Sequence, residues 1–229
     1  MDKIINTIHD IEILKNEFNN ENKIKISNFL NGEFAEKLFQ NAVLEKKWIL
    51  STGIDSIKYE KETTPIFTKI NTLQIKNVND SFGNNKFTYI FYRSMNNKHM
   101  SYFEFTLRNI LNSSEFITLL NQITDLKLTH LTTLFLSKYK SGSFLSPHSD
   151  AGNGTLAFVI NITKFWKPQY GGILHFMNEN RTEIIKSYVP EFNSFIIFKV
   201  PENGGVPHYV SHVSPNVKYS RYAITGWFS

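Results

Sequence analysis

The apolar positions of this chain change period near residue 130, from mostly helical intervals to short runs broken by turn-forming residues. Ile4, Ile5, Ile8, Ile11, Leu14 and Phe18 recur three or four residues apart, which predicts an amphipathic helix over 3–18. Asn31-Gly32 reads as a turn, with Phe34, Leu38, Ala42 and Ile49 on the apolar side of a second helix from Glu33 to Leu50. Residues 51–86 are polar and irregular, with Pro65, Gly83 and many Asn and Thr, and predict strands and loops that meet a substrate. A strand at 87–92 is followed by helices at 101–111 and Ser114–Ile123, the second opening on Ser-x-x-Ile, half of a capping signal.

From Leu131 onward the apolar runs are four to nine residues long and bounded by Gly, Pro, Asn and Ser. They cover Leu131–Tyr139, Phe144–His148, Thr155–Ile162, Ile173–Phe176, Ser194–Val200, Tyr209–Val213 and Tyr222–Phe228. Short strands at such intervals predict an all-β sandwich. The chain therefore divides into a helical or mixed region, 1–130, packed on a β core, 131–229, the two making one catalytic domain. No internal repeat or low-complexity segment interrupts the core.

Composition narrows the chemistry. With no cysteine among 229 residues, a disulfide framework and thiolate metal sites are excluded, so any metal must take nitrogen and oxygen ligands. No apolar run approaches the roughly 18 residues of a membrane span, and Met-Asp-Lys-Ile-Ile-Asn lacks a signal peptide's apolar core. These features predict a cytoplasmic protein without a membrane partner. The net charge of +5 is uneven: residues 1–122 carry 15 basic and 14 acidic side chains, residues 123–229 carry 10 and 6. A cationic second half suits an anionic co-substrate or an acidic partner. No cluster of five or more Lys and Arg supports nucleic-acid binding.

His148-Ser149-Asp150 carries the sharpest chemistry. On an extended segment, side chains at i and i+2 project to one side and can share one ion. A third ligand on another strand would complete two imidazoles and a carboxylate on one face of an octahedral ferrous ion, leaving adjacent positions open. His212, 62 residues beyond Asp150, is the candidate third ligand, and Arg221 follows nine residues later. His-x-Asp alone is weak, since three separately hydrogen-bonded polar side chains would look the same. Arg221 offers a planar, permanently charged fork suited to a carboxylate, although a surface arginine is the alternative.

Four blocks in order strengthen the reading. They are Tyr139-Lys-Ser-Gly142-Ser-Phe-Leu-Ser-Pro-His148-Ser-Asp150, Phe165-Trp166-Lys-Pro-Gln-Tyr-Gly171-Gly172-Ile173-Leu174, Pro207-His-Tyr-Val-Ser-His212-Val-Ser-Pro215 and Arg221-Tyr-Ala-Ile-Thr-Gly226-Trp227-Phe228. Together they resemble the Fe(II)/2-oxoglutarate oxygenases, in particular their prolyl-hydroxylase-type branch, including hypoxia-factor prolyl hydroxylases and bacterial relatives. The resemblance covers Leu131–Phe228 and implies a double-stranded β-helix, or jelly roll, with flanking helices. It also implies Fe(II), 2-oxoglutarate and O₂ as cofactor and co-substrates, with ascorbate a candidate reductant.

The resemblance implies that His148, Asp150 and His212 hold iron and that Arg221 binds the distal carboxylate of 2-oxoglutarate. Tyr139 matches a tyrosine whose hydroxyl reaches the co-substrate, with a place in the core as the alternative; Thr225 is a second hydroxyl candidate. Relatives often carry another tyrosine where this chain has Asn161, which is shorter but could still donate through its amide. His208 and His175 read as structural, with supporting or substrate roles as alternatives, and stay outside the metal set. Trp166 and Trp227 read as packing residues, and Gly171-Gly172 as a tight bend.

The implied reaction couples oxidative decarboxylation of 2-oxoglutarate, giving succinate and CO₂, to hydroxylation of an unactivated C–H bond. Asp150 favours hydroxylation over halogenation, because halogenating relatives place a small residue there. A prolyl residue of a protein or peptide is the first substrate expectation, and a free amino acid or biosynthetic intermediate the second. A non-catalytic, cupin-like metal-binding or sensing module is the alternative outside enzymes, against which Arg221 argues. The sequence leaves the oligomeric state open.

Overall fold

The computed structural model describes residues 4–7, 10–45, 47–55, 57–62, 68–94, 100–201 and 206–229. Among the described residues, five α-helices, α1 (Ile11–Glu21), α2 (Gly32–Leu44), α3 (Thr68–Gly83), α4 (Tyr102–Leu111) and α5 (Ser114–Thr124), accompany twelve strands. The strands are β1 (Lys23–Ile26), β2 (Trp48–Ile54), β3 (Ile57–Glu62), β4 (Thr88–Ser94), β5 (Leu131–Tyr139), β6 (Phe144–His148), β7 (Leu156–Asn161), β8 (Leu174–Met177), β9 (Ile184–Tyr188), β10 (Ser194–Lys199), β11 (His208–Val210) and β12 (Arg221–Phe228).

The strands form a curled antiparallel sheet in the order β1-β10-β7-β12-β5-β4-β6-β11-β8-β9, with β2 and β3 branching from β4. Strand β4 is the fold line, since Tyr92 and Arg93 pair with β5 while Tyr89 and Ile90 pair with β6. A larger limb thus faces a smaller one, the jelly-roll arrangement expected. The division at residue 130 runs through this sheet, because β1 and β4 pair with β10 and β5.

Alternation on the larger limb builds two cores. On β12, Tyr222, Ile224 and Phe228 join the cluster beneath the helices, whereas Ala223 and Trp227 belong to the cluster between the limbs. On β7, Phe158 and Ile160 take the helix side and Ala157 and Val159 the inner side. All six β7 residues are buried, as a strand covered on both faces requires.

Local chemistry moves several predicted boundaries. The first helix starts at Ile11 rather than 3, because Ile5 is taken by an isolated bridge to Leu30 and Asn6 Nδ2 donates to the carbonyls of Asn28 and Leu30; Ile8 lies outside the described residues. Asn31-Gly32 is a helix start rather than a turn, since Asn31 Oδ1 accepts from the backbone N–H groups of Glu33 and Phe34. That helix ends at Leu44, and Trp48–Leu50 join β2, so Ile49 is a strand residue. The region read as irregular holds β2, β3 and α3. Helix α4 carries a full capping box between Ser101 and Glu104.

Candidate active site

His148 ends β6 and stands directly opposite His208, which begins β11, so the cross-strand pair places their ring centroids 4.3 Å apart. Asp150 follows β6 in a sharp turn where Asn153 N–H donates to the Asp150 carbonyl and Gly152 takes a φ of +85°. Its carboxylate lies 3.4 Å from His148 Nε2 through one oxygen and 3.4 Å from His208 Nε2 through the other. One donor atom from each of the three residues falls within 4.8 Å of the others.

Both rings are held from behind, with His148 Nδ1 3.0 Å from the Ser146 carbonyl and His208 Nδ1 3.0 Å from the Val206 carbonyl. A carbonyl only accepts, so Nδ1 carries the proton in each ring and Nε2 presents a lone pair. Burial, and then the neighbouring His208, pushes the His148 pKa below its ordinary value, partly offset by Asp150. Burial works against the Asp150 charge, but when the facing imidazoles also carry a proton on Nε2 their hydrogen bonds and charge outweigh it and hold the carboxyl well below the usual range. A cation shared by the three groups would take the place of those protons. Ligands about 2.1 Å from a metal at adjacent octahedral positions lie ~3 Å apart, so these donors fit one ion with small adjustment.

The third member of this set is His208, which corrects the assignment of His212. His212 lies beyond the end of β11, and its ring stacks on Phe144 at 4.1 Å and meets Phe82 at 5.1 Å. Phe144 is four residues before His148, about 13 Å along an extended strand, so His212 is drawn away from Asp150. His-x-Val occurs at 208 and, one residue shorter, at His212-Val213, and the spacing to Arg221 selected the wrong copy. The signal for the right one was Pro207-His208, which repeats Pro147-His148 on the opposing strand.

Across the cavity, Arg221 begins β12, pairs with Tyr139 in register and is only 2% exposed. Its guanidinium carbon lies 5.1 Å from the centre of the Tyr139 ring. Nη2 donates to Asn161 Oδ1 at 3.2 Å, Nε is buried without a partner, and no carboxylate among the described residues offsets the charge. Burial accordingly lowers the Arg221 pKa. A buried guanidinium without an anion is costly, and a carboxylate entering the cavity would relieve it. Burial pushes the Tyr139 phenol up to about 12, against the pull of Arg221, so this hydroxyl stays protonated as a donor.

Thr225 lies two alternations along β12 from Arg221 and lines the same cavity, of about 460 Å³, as do Tyr139, Asp150, His148 and His208. Asn161 is not on that wall. Its Nδ2 donates to Ser194 Oγ at 3.1 Å, while Oδ1 accepts from Arg221, so both ends are engaged by neighbouring strands.

The opposite rim is aromatic: Phe87 lies 5.4 Å from His148, Tyr89 5.7 Å from Phe87, Phe91 5.6 Å from Tyr89 and 5.3 Å from Tyr139. Trp227 lines the cavity, whereas Trp166 packs inside and donates to the Gly171 carbonyl at 2.8 Å. His175 faces away from the metal cluster, bonded to Ser187 Oγ at 2.7 Å and stacked on Tyr209. Gly171 and Gly172 form the expected bend at φ of +71° and +63°.

Residues 134–229 match the family model of the 2OG-Fe(II) oxygenase superfamily. A prolyl 3-hydroxylase of Xenopus laevis is 31% identical over 127 residues, 53% of this chain and 24% of the relative, so the chain spans about a quarter of that protein's length. In fold, the chain resembles a Pseudomonas putida prolyl-4-hydroxylase at a TM-score of 0.62, with 15% identity and 95% and 97% of the two chains covered. It also resembles a Trichoplax adhaerens prolyl hydroxylase solved with a hypoxia inducible factor peptide, at a TM-score of 0.54 and 15% identity, covering 95% and 88%. The metal cluster and Arg221 both lie within the stretch that matches the 2OG-Fe(II) oxygenase superfamily model.

Proposed function

We propose that the protein is an Fe(II)- and 2-oxoglutarate-dependent dioxygenase that hydroxylates a prolyl residue in a protein or peptide. The observation that carries this reading is one cavity holding both a three-ligand nitrogen and oxygen cluster, His148–Asp150–His208, and an uncompensated buried guanidinium, Arg221. Bound iron and 2-oxoglutarate would supply the oxidising chemistry, with release of succinate and CO₂. The chain's own part is positional: three donors hold one ion, Arg221 with Tyr139 and Thr225 receives the distal carboxylate, and the walls limit water. The rim of Phe87, Tyr89 and Phe91 suits the flat apolar face of a pyrrolidine ring. The matched family supports the reaction class, and the Xenopus laevis relative, a prolyl 3-hydroxylase, supports the prolyl substrate.

The test is anaerobic loading with Fe(II) and 2-oxoglutarate, then O₂-dependent succinate release against prolyl peptides and free amino acids, with mass spectrometry of the product. A gain of one oxygen on a prolyl peptide is the expected result. Turnover on free proline alone would replace the substrate assignment, and loading without any 2-oxoglutarate binding would overturn the reaction class.

A further inference from the structure

We infer that Asn161 is a positioning residue that locks the Arg221 guanidinium without neutralising it, leaving the charge for an incoming dianion. This rests on the proposed function for the identity of the dianion, though not for the lock itself. The orientation of the Asn161 amide follows from its neighbours. Ser194 Oγ donates to the Glu191 carbonyl at 2.8 Å, so it can only accept from Asn161, which assigns Nδ2 to Ser194 at 3.1 Å. Oδ1 is then turned to Arg221 Nη2, 3.2 Å away.

Register makes this unavoidable: Asn161 is opposite Ser194 on β10 and opposite Ala223 on β12, two residues from Arg221. Asn161 and Ser194 are buried, at 1% and 0% exposure, so water cannot replace either contact cheaply.

An amide is a suitable acceptor because it carries no charge. A carboxylate at position 161 would hold the fork at least as firmly and become its counterion, while Ser194 Oγ turns its hydrogen from the Glu191 carbonyl to the oxygen that replaces Nδ2. The metal-free protein would gain stability and the dianion would lose its driving force. An aliphatic residue would do the reverse, leaving the charge intact but the fork unheld. Stability and co-substrate affinity should therefore move in opposite directions in one variant and together in the other, which a merely structural asparagine would not produce.

The experiment compares wild type, Asn161→Asp and Asn161→Ala. Melting temperatures of the metal-free proteins are paired with anaerobic calorimetric titration of 2-oxoglutarate into the metal-loaded proteins. Asn161→Asp should melt about 2–4 °C above wild type and bind 2-oxoglutarate about 10- to 100-fold more weakly. Asn161→Ala should melt below wild type, with a loss of affinity of roughly 3- to 10-fold. Asn161→Asp with wild-type affinity, or with melting temperature and affinity both reduced, would overturn the inference. Wild type that fails to bind 2-oxoglutarate would sink the functional reading instead, while the melting order of the metal-free proteins would still decide whether position 161 sets the charge of Arg221.

Discussion

Replacing His208 or His212 by alanine separates a metal ligand from a packing residue, and the structure sets the size of both effects. Loss of a ligand must cost at least the roughly 10- to 100-fold in metal affinity seen when a ligand's supporting partner is removed. At a metal concentration 100 times the wild-type Kd, binding stabilises the fold by about 2.7 kcal/mol. A 100-fold weaker site at the same concentration contributes only ~0.4 kcal/mol. For a chain of this size 1 kcal/mol is about 2–4 °C, so the metal-induced rise in Tm should shrink from about 5–11 °C in wild type to ~1–2 °C in His208→Ala.

His212→Ala should instead keep the full metal-induced rise on a lower baseline. The ring's contacts with Phe144 and Phe82 are worth about 0.5–1.5 kcal/mol each when buried. His212 and Phe82 are exposed and only Phe144 is buried, so the loss should be smaller, about 0.5–1 kcal/mol, or roughly 1–4 °C. Thermal melts with and without Mn(II), together with anaerobic Fe(II) titration, read both quantities. If His212→Ala abolishes the metal-induced rise while His208→Ala retains it, the geometric assignment is wrong.

Arg221→Lys keeps the charge but loses the fork, and should weaken 2-oxoglutarate binding about 10- to 100-fold with Fe(II) affinity unchanged; equal losses of both in titration would make Arg221 a support of the metal site. Burial raises the Glu104 pKa above 4.5, against bonds from Ser101 and Ser94 that lower it. The folded state therefore holds this proton more tightly than the unfolded chain, and its stabilisation is full below pH 4.5 and lost as pH rises through the raised value. In Glu104→Gln that loss should be absent, and urea midpoints that follow the same pH profile in both proteins would refute it. Gly171→Ala combines a φ of +71° with a Cβ 1.9 Å from the His212 carbonyl, and should destabilise by about 2–4 kcal/mol in denaturant titration; a loss under ~0.5 kcal/mol would show that the bend relaxes freely.

Much of the second half was legible in the sequence because its information is local. Leu131–Tyr139 and Phe144–His148 are bounded by Gly, Pro and Ser and appear as strands with the same limits. His148 and Asp150 needed only the two-residue period of an extended chain to share a side. Arg221, two strand positions from Ala223, was already on a defined face. Helices α4 and α5 were readable from their 3.6-residue patterns. These features are set by backbone period and turn chemistry, which neighbouring residues specify.

What the sequence left undecided depended on partners far along the chain. Spacing could not choose between His208 and His212, since the choice is made by register: His208 is opposite His148, while Phe144 and Phe82 capture His212. Asn161 could be read only as a shortened donor until Ser194 and Arg221 fixed both ends of its amide from two different strands. Ile4 and Ile5 matched a helix, yet the bridge from Ile5 to Leu30 drew that segment into extended chain. The β1 and β9 segments are short, and pairing with β10 and β8 makes them strands. Side-chain period specifies which face a residue occupies, but strand register and long-range packing decide what it meets there, and the candidate site is built from those meetings.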